Sequence, residues 1–342
     1  MILLVSYWLD PPDTTDYETK STASTNVQAT PITFRMNMMR AVSKIISRSL
    51  LALTLAAIAP PLSAEPLEIT TAQGKITLPY QAKTIVALDG AAIDTLAALG
   101  AIPQAVVAPL YVEALSAQVK EARVVGTLFE PDFEKIAALQ PDLIVVGGRS
   151  VAQAAPLGRI GQVIDMSIGQ DALNDGLARL ATFGEITGRR EKAQELAQAL
   201  EAKIAKARGL IEGQGNALIV MANGPKLSVF GPQSRFGWLH SALNWAPAVA
   251  DILEAPHGEA VSFEYIAKAN PDTLLVIDRG RAVAQGTGNA QATLDTPLIA
   301  GTTAAKNGRI LYLSPAEIYV TGGGIQALNV TLDEIIAALS QS

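Results

Sequence analysis

The sequence predicts an α/β protein made of two Rossmann-like lobes joined by one long helix, and three observations carry that expectation. Short runs rich in Val, Ile and Leu alternate with helical patterns in both halves of the chain, as expected for strands buried in a parallel sheet covered on both faces. Between the two series lies a stretch from Asp171 to Gln214 without proline, dominated by alanine and charged residues. A segment of the first series also recurs without a gap, 130 residues later, in the second.

Residues 1–64 stand apart from this pattern. Positions 1–35 are polar and show no periodicity, whereas Arg40, Lys44 and Arg48 lead into the apolar run Leu50 to Ala59 and the small residues Ser63-Ala64. A basic region, a short apolar core and a small-residue exit outline a secretory signal over about 36–64. The apolar run is too short to cross a bilayer. The expectation is a non-mature leader over 1–64, with translation starting at Met36, Met38 or Met39 and a mature protein from near Glu65.

The mature elements follow in order. Leu67 to Thr71 and Lys75 to Leu78 flank Ala72-Gln73-Gly74 as a hairpin. Thr84 to Leu88 reads as a strand, and Ala91 to Leu99 as a helix stopped by Gly100. Ala105 to Val107, Val124-Val125, Leu143 to Val146 and Gln162 to Ile164 are further short strands. Thr187-Gly188 then splits the proline-free stretch into two helices. In the second, Ala193, Leu196, Ala197, Leu200, Ile204 and Ala207 keep close to helical spacing. A new strand series begins at Ala217 to Met221 and continues with Leu227 to Phe230, Leu274 to Ile277 and Ile310 to Leu313, before a last helix from Ile325 to Leu339. The expected domains are an N-terminal lobe over 65–187, a linking helix over 188–214 and a C-terminal lobe over 215–342.

The repeat aligns Phe133 to Arg149 with Phe263 to Arg279, with identity at eight of 17 positions. Each copy reads as helix, Pro-Asp turn, buried strand, then arginine, the proline ending the helix by removing a donor and restricting its predecessor. Arg149 and Arg279 thus fall just past strand C-terminal ends, the edge where open α/β sheets bind ligands. Two facing lobes would aim both into one cleft. Glu134 and Glu264 are the second repeated charged pair, each at a helix start where a carboxylate favours the helix dipole.

Composition excludes several classes. With 49% hydrophobic and 17% charged residues the chain is not disordered. Without cysteine it has no disulfide, zinc ribbon, thiolate cluster or cysteine nucleophile. A net charge of −6 argues against a nucleic-acid partner. A secreted α/β enzyme lacks support, since there is no Gly-x-Ser-x-Gly elbow and no glycine-rich phosphate loop after a strand. From the residues alone, His257 reads as a loop histidine beside Gly258, Tyr319 as a strand-end residue or one carried by the flexible run Gly322 to Gly324, Arg235 as a surface charge, and His240 as a structural helix residue.

From about Thr84 to Leu339 the chain resembles the periplasmic substrate-binding proteins of iron–siderophore ABC importers, most of all the catecholate branch. The matching runs are Phe133 to Arg149, Gly231 to Gly237, His257 to Glu264, Asn270-Pro271-Asp272, Leu294-Asp295, Tyr312 to Pro315 and Tyr319 to Gly324. The resemblance implies a class III binding protein with a helical backbone between its lobes, located in the periplasm, monomeric and not an enzyme. It implies no intrinsic cofactor, Fe(III) arriving as a siderophore complex, and an inner-membrane ABC permease as partner. It places Arg149, Arg235 and Arg279 around the ligand, His257 and Tyr319 on the metal, and Glu134 and Glu264 at the permease. Ferric iron favours oxygen donors and accepts imidazole, tyrosinate is a known iron ligand, and guanidinium holds anionic oxygens at any relevant pH. Haem or another iron chelate is the alternative cargo within the same transport class.

Overall fold

The hairpin forms as its alternation predicts. In the computed structural model, which describes residues 66–341 apart from 254, 256 and 285–288, β1 (Leu67–Thr71) and β2 (Gly74–Leu78) pair antiparallel. The leader expected over 1–64 lies outside the described residues. Three bonds fix the hairpin to the first lobe: Ala72 N–H donates to Asp165 O (2.8 Å), Gln73 Nε2 to Asp165 Oδ2 (2.8 Å) and Thr182 Oγ1 to Thr70 O (3.0 Å).

The first lobe is a five-stranded sheet, built from β3 (Ile85–Ala87), β4 (Ala105–Val106), β5 (Arg123–Val124), β6 (Leu143–Val146) and β7 (Val163–Asp165). The order is β5-β4-β3-β6-β7 and every pairing is parallel. Helices α1 (Gly90–Ala98), α2 (Glu113–Gln118), α3 (Phe133–Ala138) and α4 (Ala154–Leu157) make the return connections. The chain steps outward from β3 through β4 to β5, then reappears as β6 on the other side of β3. The crevice beyond β3 and β6 is therefore a topological switch point, where ligands bind in such sheets.

Helix α5 (Ala172–Ile186) leads into α6 (Arg190–Ile211), 22 residues and roughly 33 Å long at 1.5 Å per residue. Ala193, Leu200, Ile204, Ala207 and Ile211 are buried along one stripe of α6.

The second lobe departs from an all-parallel expectation. Its path runs β11 (Glu259–Val261), β9 (Lys226–Phe230), β8 (Asn216–Asn223), β12 (Thr273–Asp278), β13 (Ile310–Tyr312), with β10 (Ala246–Pro247) also beside β8. Pairings β8–β12, β12–β13 and β8–β10 are parallel, whereas β8–β9 and β9–β11 are antiparallel. Only Gly224 and Pro225 separate β8 from β9, too short a link for a parallel crossover. The helices of this lobe are α7 (Trp238–Ser241), α8 (Phe263–Ala269), α9 (Arg279–Ala282), α10 (Ala290–Leu294), α11 (Pro297–Ala300), α12 (Thr303–Lys306), α13 (Pro315–Tyr319) and α14 (Ile325–Ser340).

Alternation along β8 divides the core. Ala217, Ile219 and Met221 face a core shared with the first lobe, α6 and α14, whereas Leu218, Val220 and Ala222 face a smaller one on the sheet's far side. One continuous apolar core thus runs from the first sheet to the near face of the second.

The structure explains most of the repeat. Ile136 and Ile266 are fully buried under their sheets. Gln140 and Asn270, at matching positions, both take left-handed backbone (φ 46° and 42°) to leave the helix. Asp142 Oδ2 accepts from Lys83 and Thr84 N–H at the entry to β3, and Asp272 Oδ2 from Asn216 N–H at the entry to β8. The Pro-Asp turn therefore ties each repeat's strand to the strand beside it.

Where the lobes meet, α14 begins at Gly324, which has no side chain with which to cap the helix. Helix α1 supplies the cap. Asp94 Oδ1 accepts from Gln326 N–H (2.8 Å), Thr95 Oγ1 accepts from Ile325 N–H (3.3 Å), and Gln326 Nε2 donates to Asp94 O (3.0 Å). Asp94 is 2% exposed. Burial pushes its carboxyl up to about 7; the Gln326 and Ala327 N–H groups oppose this and Glu317 adds to it. The native state therefore takes up a proton near pH 7, while the unfolded chain does so only near the ordinary value of 3.8. Stability from this group is present in acid and lost as pH rises through about 7. Between pH 4 and 7 the thermal midpoint of the wild type should fall relative to that of Asp94→Asn, and the two should run parallel above pH 8, as measured by calorimetry; parallel profiles throughout would show that Asp94 has no raised pKa.

Candidate functional site

Three guanidinium groups converge on one tyrosine. Arg149 follows β6 in a short 3-10 helix (Gly148–Gln153), Arg235 lies in the loop after β9, and Arg279 opens α9 after β12. Their Cζ atoms stand 5.6, 5.0 and 5.9 Å from the centre of the Tyr319 ring. Arg235 Nη2 donates to Tyr319 O (2.8 Å), Arg279 Nε to Tyr319 Oη (3.1 Å), and Arg279 Nη1 to Asn223 Oδ1 (3.3 Å). The ring therefore receives cations from both lobes.

Among the described residues no carboxylate forms an ion pair with any of the three. Arg235 is held below the usual arginine range by burial first, and by the charge of Arg149, with Tyr319 opposing. Like charges gathered without a counter-ion are costly unless something anionic joins them. Beside them is a cavity of about 320 Å³, whose wall includes Asp89, Arg149, Arg235, Trp238, Glu317 and Gly323. Asp89 caps α1 by accepting from Ala92 N–H (3.0 Å). Burial raises its carboxyl above the usual range, against the pull of that N–H and of Arg149.

Arg149 is set by a chain of bonds. Gly148 N–H donates to Ser167 Oγ (2.9 Å), Ser167 Oγ and N–H donate to Asp165 Oδ1 (2.5 and 2.9 Å), and Gln73 Nε2 of the hairpin turn donates to Asp165 Oδ2 (2.8 Å).

The geometry corrects the reading of Tyr319. It ends helix α13 rather than a strand, and Gly322 to Gly324 are not a loose run. A Cβ on Gly324 would stand 2.6 Å from the Asp94 carboxyl, and one on Gly176 of α5 would collide with Gly323 O. These glycines permit close approach rather than swinging.

The sequence of residues 85–317 matches the profile of the periplasmic binding protein family. The chain belongs to that family. It is 34% identical over 266 residues to the petrobactin-binding protein YclQ of Bacillus subtilis, covering 75% of this chain and 83% of that one. The crystal structure of YclQ superposes with a TM-score of 0.74 at 31% identity, over 81% of this chain and all of that one. The ferric-anguibactin-binding protein FatB of Vibrio anguillarum is 32% identical over 220 residues, 62% of this chain and 67% of that one. The periplasmic catecholate-siderophore binding protein VctP of Vibrio cholerae superposes at a TM-score of 0.73 with 29% identity, over 81% of this chain and all of that one. The architecture is that of the class III binding proteins, two α/β lobes on a helical backbone.

In this periplasmic binding protein His257 stands exposed in the loop before β11, and the hydrogen bonds and ring contacts of Tyr319 among the described residues come from the arginines, not from His257. Glu134 and Glu264 are exposed in the first turns of α3 and α8. The caps there are Asp132 and Ser262; a hydrogen bond from Ser262 lowers the Glu264 carboxyl. His240 is buried, its Nδ1 3.0 Å from Trp245 O, and burial lowers its pKa. Among the described residues no helix is long and apolar enough to cross a membrane, and no three His, Asp or Glu side chains are grouped to hold a metal ion.

Sequence reasoning missed Asp89, Trp238 and Glu317. Only Asp89 had a signal, an Asp immediately before a helical pattern.

An arginine cluster with no ion-pair partner among the described residues responds to anions. Citrate should raise the thermal midpoint of the wild type in scanning fluorimetry, following mass action, and should raise that of an Arg149→Gln/Arg279→Gln variant less. Equal shifts would place the anion elsewhere.

Proposed function

We propose that this periplasmic binding protein captures a ferric siderophore of catecholate type in the cleft between its lobes and delivers it to an inner-membrane ABC permease. The observation that carries the reading is the trio Arg149, Arg235 and Arg279 around Tyr319, in ion-pair contact with no carboxylate among the described residues, beside a cavity of about 320 Å³. A ferric catecholate is anionic, and planar guanidinium groups hold its oxygens by charge-assisted hydrogen bonds. The names of YclQ, FatB and VctP support the same class of cargo. In this reading the protein works in the periplasm as a monomer, performs no catalysis, and carries iron only as the siderophore complex. Residues 65–187 and 215–342 act as the two lobes and 188–214 as their link.

The metal shell is part of the proposal. A tetradentate catecholate leaves two positions on Fe(III) open, and Tyr319 Oη and the His257 imidazole fill them. His257 comes in from its exposed loop when the ligand is bound. A hexadentate chelate fills the shell itself and leaves both residues unused.

Titration of wild type, Tyr319→Phe and His257→Ala with one tetradentate and one hexadentate ferric catecholate tests this. Tyr319→Phe should alter the visible charge-transfer band of the tetradentate complex. His257→Ala should weaken that complex, and the difference should shrink in acid, where a protonated imidazole cannot bind metal. Neither change should matter for the hexadentate complex. Alanine at each arginine should weaken both chelates by roughly 1–3 kcal/mol, the range for a charged hydrogen bond. Unchanged tetradentate spectra and affinities would remove direct coordination, and three wild-type-like arginine variants would remove the site.

Permease docking rests on Glu134 and Glu264, exposed at equivalent positions of the repeat. Reversing both charges should abolish uptake in whole cells while affinity for the ferric complex stays unchanged. Normal uptake would reduce both residues to helix-dipole partners.

A further inference from the structure

The segment that carries Tyr319 is fixed at both ends by carboxylates outside it. At its start, Glu334 of α14 accepts from Ser314 N–H (3.0 Å) and Ser314 Oγ at the entry to α13. At its end, the chain passes through Val320 to Gly324 into α14, whose first turn is capped by Asp94 of α1. Between these points the backbone is closed by its own bonds: Val320 N–H donates to Ala316 O and Gly324 N–H to Thr321 O, both at 2.8 Å. Ile318, Val320, Gly322 and Gly323 form one wall of the cavity, and Ala327 and Leu328 of α14 continue it. Gly323 lies against Ile168 and Gly176 of the first lobe, and Gly90 against Thr321.

We propose that Asp94 is a positioning residue of the binding cleft: its cap on α14, made from the opposite lobe, holds the 320–324 segment and with it the cavity wall and Tyr319 in the ligand-binding arrangement. Asp94 does not line the cavity, so its effect on binding is transmitted through α14. The inference rests on the cleft being the ligand site. It accounts for two features together: a lone acidic side chain in an otherwise uncharged helix, and a glycine where α14 needs a cap. The glycine is there because a Cβ would stand 2.6 Å from the carboxylate that replaces its missing cap.

The test measures affinity for a ferric catecholate by fluorescence quenching, with Trp238 in the cavity wall as a reporter. Asp94→Ala should weaken binding about tenfold, the scale of losing one helix cap. Asp94→Asn keeps an acceptor oxygen of the same shape and should restore most of the affinity. Gly324→Ala should weaken binding in the wild-type background but cost clearly less on top of Asp94→Ala, because that change removes the carboxyl group, the nearest atoms its methyl group meets, and leaves only the Cβ of residue 94. Ile266→Ala, in the far core beneath α8, should lower the thermal midpoint without moving the affinity of the folded protein. Should Asp94→Ala not fold, Gly324→Ala alone reports on the same seam, since it keeps every capping side chain. Wild-type affinity in Asp94→Ala or in Gly324→Ala, or additive losses in the double variant, would overturn the inference while leaving the cleft as the ligand site. A wild type that does not take the ferric complex overturns the ligand reading and this inference with it.

Discussion

Helix α14 starts with four unsatisfied backbone donors and a glycine in the capping position, so its first turn depends on another part of the chain. That dependence organises the seam. Asp94 and Thr95, more than 200 residues earlier, accept two of those donors. A side chain at Gly324 could cap the helix locally, but it would push α1 away. Because α1 makes the cap instead, the glycine run packs directly on α1 and α5, and backbone of the two lobes comes into close contact there. The burial of a carboxylate there is unfavourable in itself; the bonds it makes and the close packing it permits are what the fold gains.

Local constraints were the legible part. The Pro-Asp turns, the lone isoleucine on each repeat helix and the apolar strands are visible because each satisfies a requirement within a few residues. The linking helix was visible because its buried stripe repeats over six turns. The antiparallel β9 was not read, although the two residues between it and β8 exclude any crossover. The site was half legible. Arg149 and Arg279 follow from strand ends and from the repeat. Arg235, His257 and Tyr319 came only with the family resemblance, since nothing local marks a glycine-flanked arginine or a tyrosine ending a five-residue helix. Tyr319 was read as loosely held because Gly322 to Gly324 look flexible in sequence; their partners, Asp94, Ile168 and Gly176, are distant in the chain and invisible to local patterns.

The repeat divides its identities between two kinds of work. Ile136 and Ile266, and Asp142 and Asp272, are absorbed by packing and by ties between strands. Arg149 and Arg279 are not packed into either core, and both reach the same tyrosine from opposite lobes. Glu134 and Glu264 remain exposed, one on each lobe. The repeated unit thus shares its scaffold and also two pairs of charges, one pair gathered at Tyr319 and one pair exposed.

The apolar core that continues from the first sheet across α6 and α14 to the near face of β8 has a mechanical meaning. Two lobes that share one dry interior behave like the jaws of a fixed gauge rather than a spring trap. Opening them widely would bring leucine and isoleucine into water at about 25 cal/mol for each Å² exposed, so large swings are suppressed and adjustment is left to loops and side chains. A ligand meeting such a gauge finds a gap already set to size. Entry then requires no wide closure of the lobes, and the positive field of the arginines favours encounter with an anion.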